Sequence, residues 1–392
     1  MPDNPFLIAG GGIGGLTTAL ALARIGQPSI IIEQRTRIDE IGAGIQLSPN
    51  ASRILIEMGF GPALAKTAAE PHRLVIRSGK SGKMIGGMPL GQAMRSRFGA
   101  PYLTIHRADL QTILLDAVRG SDTIRLAFGR NVAEIENNGP SSVRIRCDSQ
   151  SASESVTGAA LIGADGLWSN VARLIGDTSK PEFRRHIAWR GLVARKDWPA
   201  DLPVDQTNLW LGPGAHLVHY PIRRGEFINL VAVTSDRDNE PGWSRTGDPS
   251  ILQKRFSRWH TDAFRAIQSV GDWTIWSLFD RAPRQTWFDN RVALLGDAAH
   301  PVLPFLAQGA ALAIEDAHVL STEIKNKNGN LIEAFTNYTR IRKSRSSKIQ
   351  STARRNGDIY HMPWPLSIGR DLTMARINFS DHTSWIYDWQ YP

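Results

Sequence analysis

The chain holds a single cysteine, Cys147, in 392 residues. One thiol can form neither a disulfide within the chain nor the redox dithiol of a disulfide reductase. A reducing, cytoplasmic compartment is the expected setting. No apolar run approaches the ~18 residues of a membrane-spanning helix, so no membrane partner is expected. The N-terminal apolar stretch has no basic segment before it and no cleavage site after it, and reads as a first strand. Internal repeats and low-complexity tracts are missing. Acidic residues are missing from Arg340 to Arg355, which carries Arg340, Arg342, Lys343, Arg345, Lys348, Arg354 and Arg355. Aromatics do not interleave with these cations and no nucleic-acid motif accompanies them. The run reads as the solvated basic face of a helix, and no nucleic-acid partner is expected.

What is present is a globular composition, 42% hydrophobic and 21% charged. The length suits about two to three domains. The net charge of +9 favours anionic partners over cationic ones.

Three segments carry chemistry. In the first, Phe6-Leu7-Ile8-Ala9 reads as a buried parallel strand. Gly10-Gly11-Gly12-Ile13-Gly14-Gly15 follows, then an apolar helix over Leu16–Ile25 and a second strand, Ser29 to Ile32, ending in Glu33. This is G-x-G-x-x-G in a βαβ unit, with an acid about 20 residues further on. Gly10 permits the tight turn, Gly12 admits a pyrophosphate and Gly15 lets helix and strand pack closely. Glu33 is placed to accept from an adenosine ribose. The motif occurs once, so a second dinucleotide would have no Rossmann unit of its own.

In the second, the apolar Leu161-Ile162 ends in Gly163-Ala164-Asp165-Gly166, which alone is an ordinary Asp-Gly turn. In the third, an apolar strand Val292–Leu295 runs into Gly296-Asp297-Ala298-Ala299-His300 and a proline-stiffened turn, Pro301 to Gln308. Gly309 then opens a small-residue helix, Ala310–Ala317. A carboxylate at a strand end beside the free N–H groups of a helix start suits a polar cofactor chain.

Taken together and in order, these segments resemble the single-component flavoprotein monooxygenases that hydroxylate aromatic rings. The resemblance is strongest to the branch with salicylate hydroxylase, 3-hydroxybenzoate 6-hydroxylase and 6-hydroxynicotinate 3-monooxygenase. His106-Arg107-Ala108-Asp109-Leu110, the 42–50 segment and Gly212-Pro213-Gly214-Ala215-His216 fit the same branch. One position departs: the family's Asp-Gly motif usually reaches an arginine seven residues after the Asp, and here that residue is Ala172, with Arg173 next. The nicotinamide contact at this motif is thereby put in question, with Arg173 as the substitute.

The resemblance implies an α/β fold: a Rossmann-like FAD-binding domain of the p-hydroxybenzoate-hydroxylase type, with an inserted antiparallel-sheet substrate domain and C-terminal helices. The cofactor domain is expected to be discontinuous, over residues 1–75, 101–180 and 281–355. Residues 76–100 and 181–280 form the substrate domain and 356–392 the tail. Expected elements are a helix at Arg107–Val118, strands near 124–128, 132–136, 142–147 and 159–163, and short strands such as 191–194, 215–222 and 227–233. Arg223-Arg224-Gly225-Glu226 reads as a hairpin turn. Helices are expected near 249–269 and 328–355. The aromatic tail is expected to pack on the body or to make a dimer contact, in preference to forming a lid.

The cofactors implied are noncovalent FAD, NADH or NADPH as a transient co-substrate, and O2; no metal is expected. FAD contacts are expected at Gly10, Gly12, Ile13, Gly14, Gly15, Glu33, Gln34, Ile45, Arg107, Val132, Asp165, Asp297, Pro304, Gly309 and Ala310. The substrate implied is a small hydroxyaromatic or heteroaromatic acid, acted on by a monomer or homodimer. Activating a phenol of pKa near ~10 calls for a base. His216 and His219 are both at hand on one strand, but side chains alternate faces, so His216 and Tyr220 share one and His219 takes the other. The resemblance selects His216 and Tyr220, roughly 13 Å apart along the strand. Gln308 is a further candidate for the ring hydroxyl or the flavin. Arg190 and Arg223 are candidates for the substrate carboxylate, and His300 reads as a structural tie after Asp297. The alternatives are a related flavoenzyme catalysing epoxidation or reduction, and a flavin- or nucleic-acid-binding protein without turnover.

Overall fold

The computed structural model describes residues 4–37, 43–149, 152–236 and 245–391. Gly42, the first residue of the 42–50 segment, lies outside the described residues. The expected βαβ unit forms: strand Phe6–Ala9, helix Ile13–Arg24 and strand Ser29–Glu33. Leu7, Ile8 and Ile31 are completely buried, as strands covered on both faces require.

Later segments return to this sheet. Ala160–Gly163 pairs in parallel beside Phe6–Ala9, Val292–Leu294 beside Ala160–Gly163, and Ile124–Phe128 beside Ser29–Glu33. The short strand Phe288–Asp289 closes one edge in the antiparallel sense. Register places Ala9 opposite Gly163, and Gly163 opposite Leu294. The three motif segments therefore leave the sheet side by side at its carboxyl edge, where open α/β sheets bind ligands.

A second sheet has eight strands, ordered Arg245–Gly247, Trp273–Asp280, Glu182–Ala194, Phe227–Ser235, Ala215–Ile222, Thr207–Gly212, Arg73–Ser78 and Met84–Pro89. It is not purely antiparallel: Thr207–Gly212 runs parallel to Arg73–Ser78, because that edge is supplied by a distant stretch of chain. Arg73–Ser78 also runs across the expected boundary at residue 75. The strand expected at 191–194 begins at Glu182, with a register break between Phe183 and Ile187 where Arg185 has φ +55°. A three-stranded sheet contains Arg130–Asn138, Val143–Ser149 and Ser153–Gly158. The last of these is too polar to show an alternating pattern and was not expected.

Helix Gly309–Asn326 packs on helix Ile13–Arg24. Gly14 helps the approach, since a Cβ there would stand 3.3 Å from Ala313 Cβ on the facing helix, and 2.8 Å from Leu295 Cδ2 beneath it. The helix Leu331–Tyr360 carries the basic run, and its face is not simply solvated. Arg342 and Arg345 turn inward: Arg342 Nε bonds Asp316 at 2.6 Å, and Arg345 bonds both Glu315 oxygens at 2.7 Å. Buried cations persist only with such partners. No helix among the described residues is long and apolar enough to cross a membrane.

The tail packs on the body. The Trp389 ring lies under Arg342 and Arg345, at 4.7 and 4.6 Å, and Trp385 lies under Lys348 at 4.1 Å. It does more than pack, because Met374, Ile377, Phe379, Trp385, Ile386 and Tyr387 wall a cavity.

Candidate active site

At the carboxyl edge of the parallel sheet lies a cleft of about 880 Å³, lined by Gly10, Gly12, Glu33, Gln34, Arg107, Val132, Asp165 and Arg173 among others. Gly10 has φ +106° and a Cβ there would meet the Ala164 carbonyl at 2.5 Å. A Cβ on Gly15 would sit 1.9 Å from the Gly10 oxygen, so this crossing of helix and strand excludes every side chain. Around Gly12, by contrast, no atom lies within 4 Å of where a Cβ would stand. That open backbone at a helix N-terminus is a cradle for a pyrophosphate. Ile13 is the first residue of that helix, with its side chain in the core.

Glu33 stands at the end of its strand with Oε2 accepting from the Gly11 amide at 2.7 Å and Oε1 from the Arg35 amide at 2.9 Å. Its carboxylate is thus fixed on the rim, beside Gln34. Gln111 Nε2 holds the Gly11 carbonyl from the other side at 2.9 Å. Asp165 is largely occupied within its own turn: Oδ1 accepts from Ser169 Oγ at 2.5 Å, and Oδ2 from the amides of Asn170 and Val171 at 2.8 and 3.0 Å. The Val132 carbonyl accepts from Asn170 Nδ2 at 2.6 Å, which joins the cleft wall to this turn. Ala172 is buried, whereas the exposed Arg173 reaches the cleft and bonds Asn170 Oδ1 at 2.7 Å.

Arg107 opens the helix Arg107–Arg119, and burial lowers its pKa against the pull of Asp297. Asp297 is exposed at the strand end, though the protein packed around it still pushes its carboxyl upward, against His300 and Arg107. His300 is the structural tie expected of it: Nε2 meets Asp316 Oδ2 at 2.5 Å, and the same oxygen accepts from the Gly296 amide at 2.9 Å. Gly309 and Ala310 begin the next helix, half-buried, with Ile45 half-buried in the strand Gly44–Leu47. The open Gly12 backbone, the fixed Glu33 carboxylate, the half-buried Arg107 and Asp297 at the next strand end fit the phosphates, ribose and ribityl chain of FAD.

The cavity is about 410 Å³, within the range of small-ligand sites. Leu74, Ile76, Met88, Leu209, Val218, Phe305 and the tail make it largely apolar; Gln46, Tyr102, Thr207 and His216 are among its polar groups. Pro304 to Ala307, the turn beyond Asp297, form part of its wall. His216 and Val218 face this cavity, as strand alternation requires. His219 faces the opposite side, with Nε2 accepting from Trp210 Nε1 at 3.1 Å. Tyr220 is buried on the His216 side, against Gly44, where a Cβ would lie 2.7 Å from its ring. Burial raises its pKa, opposed by Arg190 and a hydrogen bond from Gln46, whose Oε1 accepts from Tyr102.

His216 has a partner that sequence reasoning missed. Its Nδ1 lies 2.8 Å from His361 Nε2, and His361 Nδ1 lies 3.0 Å from His186 Nε2. Burial lowers the pKa of all three, to about 3 for His361. No local signal links residues 186, 216 and 361; only the docking of the helix Leu331–Tyr360 on the sheet brings them together.

Two candidates sit differently from what was expected. Gln308 is buried in a network, with Nε2 donating to Ser48 Oγ at 2.9 Å and Oε1 accepting from Asn50 at 3.1 Å, which places it behind the Pro304–Ala307 turn. Arg223 forms a two-pronged ion pair with Asp109 at 2.8 and 2.9 Å and does not reach the cavity; a compact guanidinium–carboxylate fork claims it. Arg190 lies over the Trp276 ring at 4.9 Å, near Arg107 and Tyr220. The cation that does line the cavity is Arg370, already held by Asp371 at 2.7 Å and the Tyr360 carbonyl at 2.7 Å.

The FAD binding domain family matches residues 3–348. The chain is 36% identical to 3-hydroxybenzoate 6-hydroxylase 1 of Aquipseudomonas alcaligenes over 392 residues, covering 99% of this chain and 97% of that protein. It is 37% identical to 3-hydroxybenzoate 6-hydroxylase of Polaromonas naphthalenivorans, covering 99% and 96%. In fold it is similar to a salicylate hydroxylase substrate complex, with TM-score 0.83, 24% identity and coverage of 99% and 96%. The chain belongs to the FAD binding domain family, in the branch of FAD-dependent aromatic-ring monooxygenases.

Proposed function

We propose that this protein uses NAD(P)H and O2 to hydroxylate a small hydroxyaromatic or heteroaromatic acid of the hydroxybenzoate kind, with the new hydroxyl placed para to the one already present. It does so as a monomer or homodimer in the cytoplasm. The observation that carries this is a buried imidazole, His216, lining an apolar cavity directly beside the turn that follows Asp297. The relatives' name supports the para position, because carbons 3 and 6 of a benzoate ring lie opposite each other.

When bound, FAD takes electrons from NAD(P)H and activates O2 for transfer to the ring. The protein supplies the rest. Gly12, Glu33, Arg107 and Asp297 hold the cofactor. The cavity's apolar walls exclude water from the reacting ring. His216, kept neutral by burial, takes the phenolic proton, and the resulting charge spreads to the para carbon and makes it nucleophilic. Tyr220, Gln46 and Tyr102 form a hydrogen-bonded line that positions the ring's other end. Gln308 acts from behind, its Nε2 donating to the Leu306 carbonyl of the Pro304–Ala307 turn at 3.4 Å.

The test is a panel of hydroxybenzoates, hydroxynicotinates and neutral phenols, scored by stimulated NAD(P)H oxidation, with products identified by mass. Stimulation by a hydroxylated acid with a gain of one oxygen supports the proposal. Stimulation by neutral phenols alone contradicts the acid substrate. Turnover of an alkene to an epoxide favours the alternative chemistry.

A further inference from the structure

We propose that His216, His361 and His186 form a proton relay that carries the substrate's phenolic proton from the cavity to the molecular surface. This rests on the assignment of His216 as the base and adds the path by which that base is emptied.

The direction of the relay follows from its outer end. His186 Nδ1 lies 2.7 Å from the Arg184 carbonyl oxygen. A carbonyl only accepts, so Nδ1 of His186 carries the proton, and in the neutral ring Nε2 is left as an acceptor. His361 must then donate from Nδ1 to His186 Nε2 at 3.0 Å, which leaves His361 Nε2 as an acceptor. His216 in turn donates from Nδ1 to His361 Nε2 at 2.8 Å. Its Nε2 is left with a lone pair, on a side chain that lines the cavity. Three tautomers are thus set by one backbone carbonyl, and the reactive nitrogen comes out in the form a general base needs.

The surroundings keep the chain neutral at rest. His216 is 4% exposed, packed between Phe305 and Tyr360 with ring centroids at 5.5 Å from each. Arg255 and Arg370 face His361 and oppose a charge there, as His186 does. At the outer end the half-buried His186 feels Asp358, an exposed carboxylate on the helix Leu331–Tyr360, which favours a positive charge. The most easily protonated station is therefore the one nearest water.

The proton balance closes. The substrate O–H bond breaks and an N–H bond forms at His216 Nε2. The Nδ1 proton of His216 moves to His361 Nε2, and the Nδ1 proton of His361 moves to His186 Nε2. His186 is now a cation and gives one proton to water. A phenolate remains in the cavity, and passage in reverse resets the three tautomers when the product takes a proton up. His361 and His186 do not touch substrate; they are positioning residues acting through His216.

The experiment uses the FAD-loaded enzyme with 3-hydroxybenzoate and reads product formed per NAD(P)H consumed from pH 6 to 9. With the relay intact the yield is flat over this range. With it broken, the substrate must arrive already ionised, so the yield at pH 7 falls by about 10²-fold and climbs roughly tenfold per pH unit toward the phenol's own pKa near ~10. His361→Gln keeps hydrogen-bonding capacity but cannot pass a proton, and it should show this tilt. His186→Ala, at the half-exposed end, should show a weaker tilt that added imidazole flattens. A lower but still flat profile in both variants means these histidines only support the fold, and it overturns the relay while leaving His216 as the base. A flat profile in His216→Ala overturns the base assignment itself, and the relay with it.

Discussion

Trp210 Nε1 donates to His219 Nε2 across 3.1 Å, and this pair locks His219 on the far side of the strand from the cavity. Burial takes the His219 pKa down to about 3, so the ring serves as a neutral acceptor inside the apolar cluster around Trp198 and Leu217. The neighbouring His216 is left as the strand's only histidine facing the cavity.

His216→Ala should therefore uncouple the enzyme, with NAD(P)H still oxidised, H2O2 rising and hydroxylated product falling by about 10²–10⁴-fold in the step the base serves. His219→Ala should leave coupling intact and lower stability by about 1–3 kcal/mol, because the Trp210 indole loses its buried acceptor. Product per NAD(P)H and urea midpoints separate the two. Coupling lost only in His219→Ala would mean that the strand faces are reversed.

Asp297→Ala should weaken FAD binding by about 1.5–3 kcal/mol, roughly ten- to hundredfold in Kd, by removing a charged acceptor at the strand end. The ratio of flavin to protein absorbance after gel filtration reads this directly. Full retention would remove Asp297 from the list of flavin contacts.

Gly15→Ala should abolish FAD binding and destabilise the fold by more than about 3 kcal/mol, since its Cβ would stand 1.9 Å from the Gly10 oxygen. Gly12→Ala is the control: nothing in the protein obstructs it, so the fold should melt at nearly the wild-type temperature while FAD binds weakly.

Stability should fall in acid through Asp316. Burial alone would raise its carboxyl, but His300 and Arg342 overcome this and hold it at about 2. An unfolded aspartate titrates near ~3.9. A depressed folded pKa contributes fully above the unfolded value and is lost as pH falls from about 4 toward 2. Urea midpoints between pH 6 and 2.5 should decline over that window. Asp316→Asn should flatten the decline and cost on the order of 3 kcal/mol at pH 7, with Arg342 and His300 left short of a partner.

Trp389→Ala should loosen the tail, because its ring stacks under Arg342 and Arg345 at 4.7 and 4.6 Å. Each contact of this kind contributes about 0.5–2 kcal/mol. Since the tail walls the cavity and not the nucleotide cleft, substrate KM should rise several-fold with FAD affinity unchanged.

Much of the cofactor half was legible in the chain itself. Phe6–Ala9, Ala160–Gly163 and Val292–Leu294 announce themselves as apolar runs ending in Gly or Asp, and each lies within a residue or two of where the pattern puts it. Strand alternation likewise separates His216 from His219 in the sequence alone. These are local properties: the period of a strand, the one residue type that tolerates φ +106° at Gly10, the acid that ends a strand.

What required tertiary structure is everything that joins distant segments. The inward turn of Arg342 and Arg345 was hidden because a basic run looks the same whether it faces water or two buried carboxylates. Arg223 looked available until the fold set Asp109 against it. The partnership of His216 with His361 spans 145 residues, and no spacing rule reaches that far. Side-chain type and local period decide which groups a strand or helix can offer. Which of them meet depends on how the helix Leu331–Tyr360 and the tail dock on the sheet, because hydrogen bonds and ion pairs act over only a few ångströms.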